Sequence, residues 1–223
     1  MKRILACLLI GTLSQSVWAL EAADQQRLSD IQQRWAHIQY EVPEGQRADA
    51  FEKLSVQASA FKQERQSVAE AWIWSGIVNS SWAGAKGGLG ALGKVKEAKG
   101  DLEKALALDP KALQGSAYTS LGALYDRVPG WPLGFGDSDK AEQLLKQALQ
   151  LNPNGIDSLY FWGDHLYRQK RYSEAKAALQ KALQAAPRPG RETADAGRRK
   201  EIDALLVDVN KQLSGQERVC VYY

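Results

Sequence analysis

The sequence predicts an all-α fold, an α-solenoid of antiparallel helical hairpins with a C-terminal capping helix. Two observations carry this and a third agrees with it. First, an alanine followed four residues later by leucine, seven later by alanine and twelve later by proline occurs three times: Ala98-Leu102-Ala105-Pro110, Ala141-Leu145-Ala148-Pro153 and Ala175-Leu179-Ala182-Pro187. The small residues let a neighbouring helix approach, the leucine fills the groove, and the proline, lacking an amide donor, stops the helix. Second, upstream of two of these segments stands the mark of a partner helix, Tyr118-Leu121-Gly122-Tyr125 and Leu159-Trp162-Gly163-Leu166, with a degenerate version at Trp72-Ser75-Gly76-Asn79. Third, no segment shows the strict alternation of a strand.

The paired marks resemble the tetratricopeptide repeat, which runs Trp-x-x-Leu-Gly-x-x-Tyr, then Ala-x-x-x-Phe, then Pro, with a period of 34 residues. Pro153 and Pro187 stand 34 residues apart, whereas Pro110 and Pro153 stand 43 apart. Seven of the nine added residues fall between Tyr125 and Ala141 and two between Pro110 and Tyr118. A further ten are added between Gly76 and Ala98. Both long insertions, Ser81 to Gly93 and Arg127 to Asp137, are expected as turn-rich excursions that leave one edge of a right-handed stack together.

Lys2 and Arg3 before the apolar run Ile4–Ile10, followed by Val17-Trp18-Ala19, read as a cleavable export signal over 1–19, which implies a periplasmic protein. The run is too short to span a bilayer. Removing it takes the formal net charge from +3 to +1 and Cys7 with it. No intramolecular disulfide is then available, and Cys220 is either a half-buried thiol or an intermolecular bridge. The near-neutral charge argues against a nucleic-acid partner.

The mature part reads as one domain over 20–215 with a short tail, 216–223. Leu28, Ile31, Trp35 and Ile38, and then Phe51, Leu54, Ala58 and Phe61, have helical spacing and meet across Val42-Pro43-Glu44-Gly45, giving a capping hairpin over 20–66. Three repeats occupy 67–187. Ile202, Leu205, Leu206, Val209 and Leu213 form the stripe of a closing helix of about fifteen residues within 188–215.

Beyond the generic repeat, Leu121-Gly122-Ala123-Leu124-Tyr125, the loop Val128 to Asp137, Asn152-Pro153-Asn154-Gly155-Ile156-Asp157 and Arg188-Pro189-Gly190-Arg191 resemble the T component of the tetratricopeptide-associated TRAP transporters. That resemblance implies a periplasmic protein that pairs with a solute-binding subunit and has a cavity suited to small apolar ligands. The best-known members are trimeric lipoproteins. This chain has a conventional signal and no acylation cysteine, so membrane tethering does not carry over, and a homo-oligomer stays open.

The residues expected to meet a ligand or partner are Trp74, Tyr160 and Trp162 on first helices and Trp82, Trp131 and Phe135 on the insertions, with Asp164, Arg188 and Arg191 as polar contacts. Large aromatics are costly to leave in water unless something covers them. Two readings stay open: the insertions fold back as compact loops, or they form the mouth of a binding site. Correspondingly, the protein is either a binding or adaptor protein for a small apolar ligand and a transport partner, or a plain protein-interaction scaffold. The scaffold reading predicts packed loops and Asn, Lys and Arg along the concave face.

No cofactor, metal or catalytic machinery is expected. Gly88-Leu89-Gly90-Ala91-Leu92-Gly93 fits the dinucleotide fingerprint, but that motif needs a strand before it and a parallel sheet beyond it. His37 and His165 have no Cys or His at zinc-ligand spacing, and no Gly-x-Ser-x-Gly elbow is present. Asp164 and His165 read as solvent or groove polar groups, and Arg188, Arg191, Arg198, Arg199 and Lys200 as a solvated helix end.

Overall fold

A computed structural model describes residues 20–220, and the export signal read over 1–19 lies outside them. Nine α-helices occur among the described residues, and no strand: α1 Ala22–Tyr40, α2 Glu44–Glu64, α3 Ala69–Lys86, α4 Leu92–Leu108, α5 Ser116–Arg127, α6 Ser138–Leu151, α7 Ile156–Arg168, α8 Tyr172–Leu183 and α9 Glu192–Cys220. Consecutive helices pair as four antiparallel hairpins, α1/α2, α3/α4, α5/α6 and α7/α8, and α9 follows. None of the helices is long and apolar enough to cross a membrane.

One contact recurs in the last three hairpins. A β-carbon built on Gly76, Gly122 or Gly163 would sit 2.7, 2.8 and 2.7 Å from the Cγ of Leu102, Leu145 and Leu179 respectively. Those leucines, and the alanines on either side of each, are fully buried. The glycine on the first helix is therefore the hole, and the leucine on the second is the knob. Pro110 and Pro153 stand just beyond the ends of α4 and α6, while α8 ends four residues before Pro187.

The capping hairpin buries Phe51, Leu54, Ala58 and Phe61 almost completely. Between α2, α3 and α4 lies a buried polar knot. The Lys62 ammonium donates to Asp101 at 2.7 and 2.8 Å, Ser75 donates to the same carboxylate at 2.6 Å, and Lys62 also sits 5.4 Å from the Trp72 ring centre. This satisfies a buried charge that would otherwise be expensive.

The first insertion is not an excursion. Ser81 to Lys86 continue α3, and α4 begins at Leu92, so the ten added residues mainly lengthen both helices of the hairpin. Small side chains and a buried tryptophan suit a helix face, and the chain reverses only where Gly87 and Gly88 take φ of +64° and +68°. The segment before Gly88 is thus helix, not the strand that dinucleotide binding requires. The second insertion is a true loop. Gly136 has no room for a side chain against the Val128 carbonyl, Gly136 N–H donates to Pro129 O at 2.9 Å, and Asp137 caps α6 by accepting from the amides of Asp139 and Lys140 at 3.0 Å.

The closing helix runs for 29 residues, about twice the expected length. It packs on α7 and α8 and also on α1, so the stack returns upon its own beginning and forms a ring. Ile202 and Val209 are fully buried on its inner stripe.

Gly76→Ala overfills its hole and is expected to destabilise by about 1–3 kcal/mol. Gly100→Ala, on an open helix surface with nothing within 4 Å, should instead stabilise by about 0.5–1 kcal/mol. Thermal melts followed at 222 nm check the pair, and equal midpoints for the two variants contradict the knob-and-hole account.

Candidate functional site

Closing the ring encloses a cavity of about 1340 Å³, lined from every hairpin and from α9. Trp35, Trp74, Ile77, Leu124, Ile156 and Tyr160 give it an apolar wall. Asn152, Asn154, Gln114, Ser120, Arg127 and Arg188 give it a polar one. Leu113 and Gln114, with φ of +46° and +56°, put two left-handed non-glycine residues on this surface at the α4–α5 connection, where the two added residues fall. Such backbone is strained and persists only where its surroundings hold it. A β-carbon on the following Gly115 would meet Leu151 at 2.8 Å.

On its cavity side α9 is tied to α7 by an ion pair and, among the described residues, to α1 by a single side-chain hydrogen bond. Arg198 donates from Nε to Asp157 at 2.8 Å and from Nη1 to Glu201, which also accepts from the Tyr40 hydroxyl at 3.3 Å. Arg188 donates to the second Asp157 oxygen at 2.7 Å and to Asp195 at 2.8 Å. Burial alone would raise the Asp157 pKa, but the Arg198 and Arg188 charges outweigh it and hold the carboxyl well below its ordinary range. Burial pushes the Tyr40 phenol up. Gly197 lies flat against the Tyr40 ring with no room for a side chain.

Of the residues expected to bind, Trp74, Tyr160, Arg188 and Arg191 line the cavity. The other five do not. Trp82 is buried on the far side of α3, with Lys94 and Lys86 ammonium groups 4.6 and 5.8 Å from its ring centre, and lines a separate, smaller hollow with Glu52, Ser55 and Asn79. Phe135 turns inward against Tyr125, ring centres 5.3 Å apart. Trp162 stacks on His165 at 5.6 Å between Lys146 and Arg171, because its position on α7 faces α6 and α8 rather than the ring interior. Asp164 is held by Arg127 at 2.6 Å and by Arg168 at 3.3 Å. Trp131 projects from its loop at 90 % exposure, beside Leu133 at 63 %, the latter also reaching the cavity mouth. Both inserted regions reach the cavity, Gly84, Gly87 and Gly88 from the first and Val128, Pro129 and Leu133 from the second.

Neither Asp164 nor His165 is a solvent group, and of the basic set only Lys200 is exposed as a solvated end would be. His165 is buried, with Nδ1 2.9 Å from Asp126 and Nε2 3.4 Å from Glu142, and so ties α7 to α5 and α6. Arg198 is buried against Asp157 of α7, and Arg199 donates to the Leu183 and Ala185 carbonyls that α8 leaves open. Residues that the sequence reading missed are Arg198, Asp157, Tyr40 and Glu201. A signal existed for Arg198: it lies four residues before Ile202, on the buried stripe of α9.

Residues 133–192 match the model of the tetratricopeptide repeat. Among solved structures, the chain is similar to TTC0263, a thermophilic tetratricopeptide protein of Thermus thermophilus, at 21% identity over 90% of this chain and 96% of that one, with a TM-score of 0.55. It also aligns with MamA, 16% identical over 76% and 92% at a TM-score of 0.45, and with PilF of Pseudomonas aeruginosa, 14% identical over 87% and 93% at 0.34. No curated protein matches the sequence. Residues 133–192 thus carry tetratricopeptide-type repeat sequence, and the all-helical hairpin stack has the fold of that Thermus protein.

Two outcomes follow from this geometry. Burial alone would lower the His165 pKa, but its contacts with Asp126 and Glu142 raise it above 6.5. The stabilisation is then fully present below pH 6.5 and fades as pH rises through the raised value. Urea unfolding of His165→Gln should therefore show its largest loss near pH 6 and a smaller one near pH 9. Gly197→Leu drives a side chain into the Tyr40 ring; small-angle scattering should show a larger radius of gyration with helicity retained, and an unchanged radius would mean that the ring does not depend on this contact.

Proposed function

We propose that the protein is a non-catalytic interaction scaffold that holds a segment of a partner protein in its ring cavity. The observation that carries this is the closed ring itself, whose volume of about 1340 Å³ exceeds the roughly 300–1,000 Å³ usual for a small-molecule pocket. Its walls supply what an extended peptide uses, apolar patches for alternate side chains and Asn, Gln, Ser and Arg groups for backbone amides and carbonyls. In the long loop Phe135 folds in against Tyr125, while Pro129 to Leu133 stay exposed. The preformed ring also spares much of the ordering cost of association.

A second, finer reading has its own support. The apolar wall of Trp35, Trp74, Ile77 and Tyr160 suits a small apolar ligand, and the likeness of the 128–137 loop to TRAP T components suggests an exported protein that partners a solute-binding subunit. In this reading Trp131 is the docking residue, since an isolated, fully exposed tryptophan is a costly surface choice and a frequent interface anchor.

Peptide display against the immobilised protein, with Gly197→Leu as the open-ring control, tests the scaffold. A consensus enriched only by the closed ring is expected. Absence of enrichment, together with an apolar adduct in native mass spectrometry, favours the ligand reading instead. Trp131→Ala should leave stability within about 0.5 kcal/mol yet weaken the full-length partner at least tenfold, and unchanged affinity removes Trp131 from the interface.

A further inference from the structure

Three buried side-chain nitrogens among the described residues have no hydrogen-bond partner in the protein: Trp74 Nε1, Arg188 Nη2 and Arg191 Nε. All three residues line the ring cavity, and all three atoms are donors that cannot accept. They belong to one corner. The Arg191 guanidinium lies 5.2 Å from the Trp74 ring centre, and Arg188 is three residues away on the same turn, the Arg191 amide donating to the Arg188 carbonyl at 3.0 Å. Buried polar atoms in folded proteins are nearly always paired, and each exception costs about 1–3 kcal/mol, more when charged. Arg188 Nη2 has an Asp195 carboxylate oxygen 2.6 Å away, and the other two exceptions, the Trp74 and Arg191 nitrogens, both donors and both in one place, describe a missing acceptor.

The neighbouring carboxylates do not supply it. Asp157 accepts from Arg198 on one oxygen and from Arg188 Nη1 on the other. Asp195 accepts from Arg188 Nε and from the Arg188 amide, and its 2.6 Å approach to Nη2 lacks the alignment of a hydrogen bond. Glu201 is taken by Arg198 and Tyr40. Arg191 has no ion pair within 4 Å among the described residues, so its Nε, like the Trp74 indole nitrogen, is without an acceptor, although Arg188, Arg191 and Arg198 are matched in number by Asp157, Asp195 and Glu201. A dianion such as phosphate would face Asp157 and Asp195 close by, whereas a planar carboxylate matches the flat edge of a guanidinium and leaves one oxygen for the indole N–H.

We propose that Trp74, Arg188 and Arg191 form an anion subsite in the ring cavity, which takes the carboxylate of the occupant, either an acidic side chain of a bound peptide or a free organic acid. The proposal rests on the cavity being the binding site. Because the subsite is built from α3 on one side and the α8–α9 connection on the other, an anion seated there bridges the first repeat and the closing segment across the cavity.

Sodium decanoate and decanol are matched probes that share an apolar chain and differ in charge. Acetyl-Leu-Leu-Glu-Leu-Leu-amide and its Gln counterpart do the same for a peptide source. Calorimetric titration of the full protein should show each acid binding at least tenfold tighter than its neutral twin, and the arm with the larger preference identifies the source. Arg191→Gln should abolish the preference while leaving the neutral probe's affinity unchanged. In the unaltered protein, the Trp74 indole N–H resonance should shift with the acids and not with decanol, a readout independent of how the variant folds. Equal binding of acid and neutral forms overturns the subsite and leaves the cavity reading intact; no binding of any probe overturns both.

Discussion

The approach of each first helix to its partner is limited by one contact, a glycine facing a buried leucine. Gly76, Gly122 and Gly163 accept Leu102, Leu145 and Leu179 at distances that no side chain on the glycine would allow. Interaxial distance in a helical hairpin is set by the side chains at the crossing, so repeating the same pair repeats the same geometry. A stack of equal units turns by an equal step, and curvature follows from that step. Everything the molecule encloses depends on it, because a hairpin held even slightly wider would change the accumulated turn by which α9 arrives at α1.

The ring is completed by chemistry of a different kind. Buried ion pairs are poor sources of net stability, because desolvation offsets much of the Coulomb gain, yet removing one partner leaves an uncompensated charge. The Asp157–Arg198–Glu201 chain therefore makes the packing of α9 on α7 selective: it accepts one register of α9 and penalises others. Gly197 against Tyr40 adds a steric condition to the electrostatic one. A long α9 suits this duty, since one helix must reach both α8 and α1.

The repeated elements were legible in the sequence because each is a local pattern seen several times. Alanine, leucine and proline at fixed offsets mark a hairpin without any knowledge of its neighbours. The lengthening of α3 and α4 was not legible. Gly84, Gly87, Gly88, Gly90 and Gly93 look like a loop by composition, but Ser81 to Lys86 stay helical because Trp82 is anchored between lysines on one face, a tertiary effect. The site was half legible. Trp74 and Tyr160 were identified as aromatics on first helices, yet Trp162, two residues beyond Tyr160, rotates by about 200° around α7 and leaves the cavity. Arg198 was misread because its partner Asp157 lies 41 residues away on α7 and meets it only when α9 packs on the last hairpin.

A closed ring poses a kinetic demand that an open groove does not. A segment long enough to fill the cavity either threads into the ring end-on or waits for the α9–α1 contact to part. Among the described residues the α1–α9 contact holds one side-chain hydrogen bond, Tyr40 to Glu201, and the packing of Gly197 on the Tyr40 ring, so parting there costs less than prising apart a hairpin locked by leucine. Opening at the seam would also bring Arg188 and Arg191 to the surface first. An anionic group could then be met before the apolar wall is reached, and closure would follow as the rest of the occupant is buried.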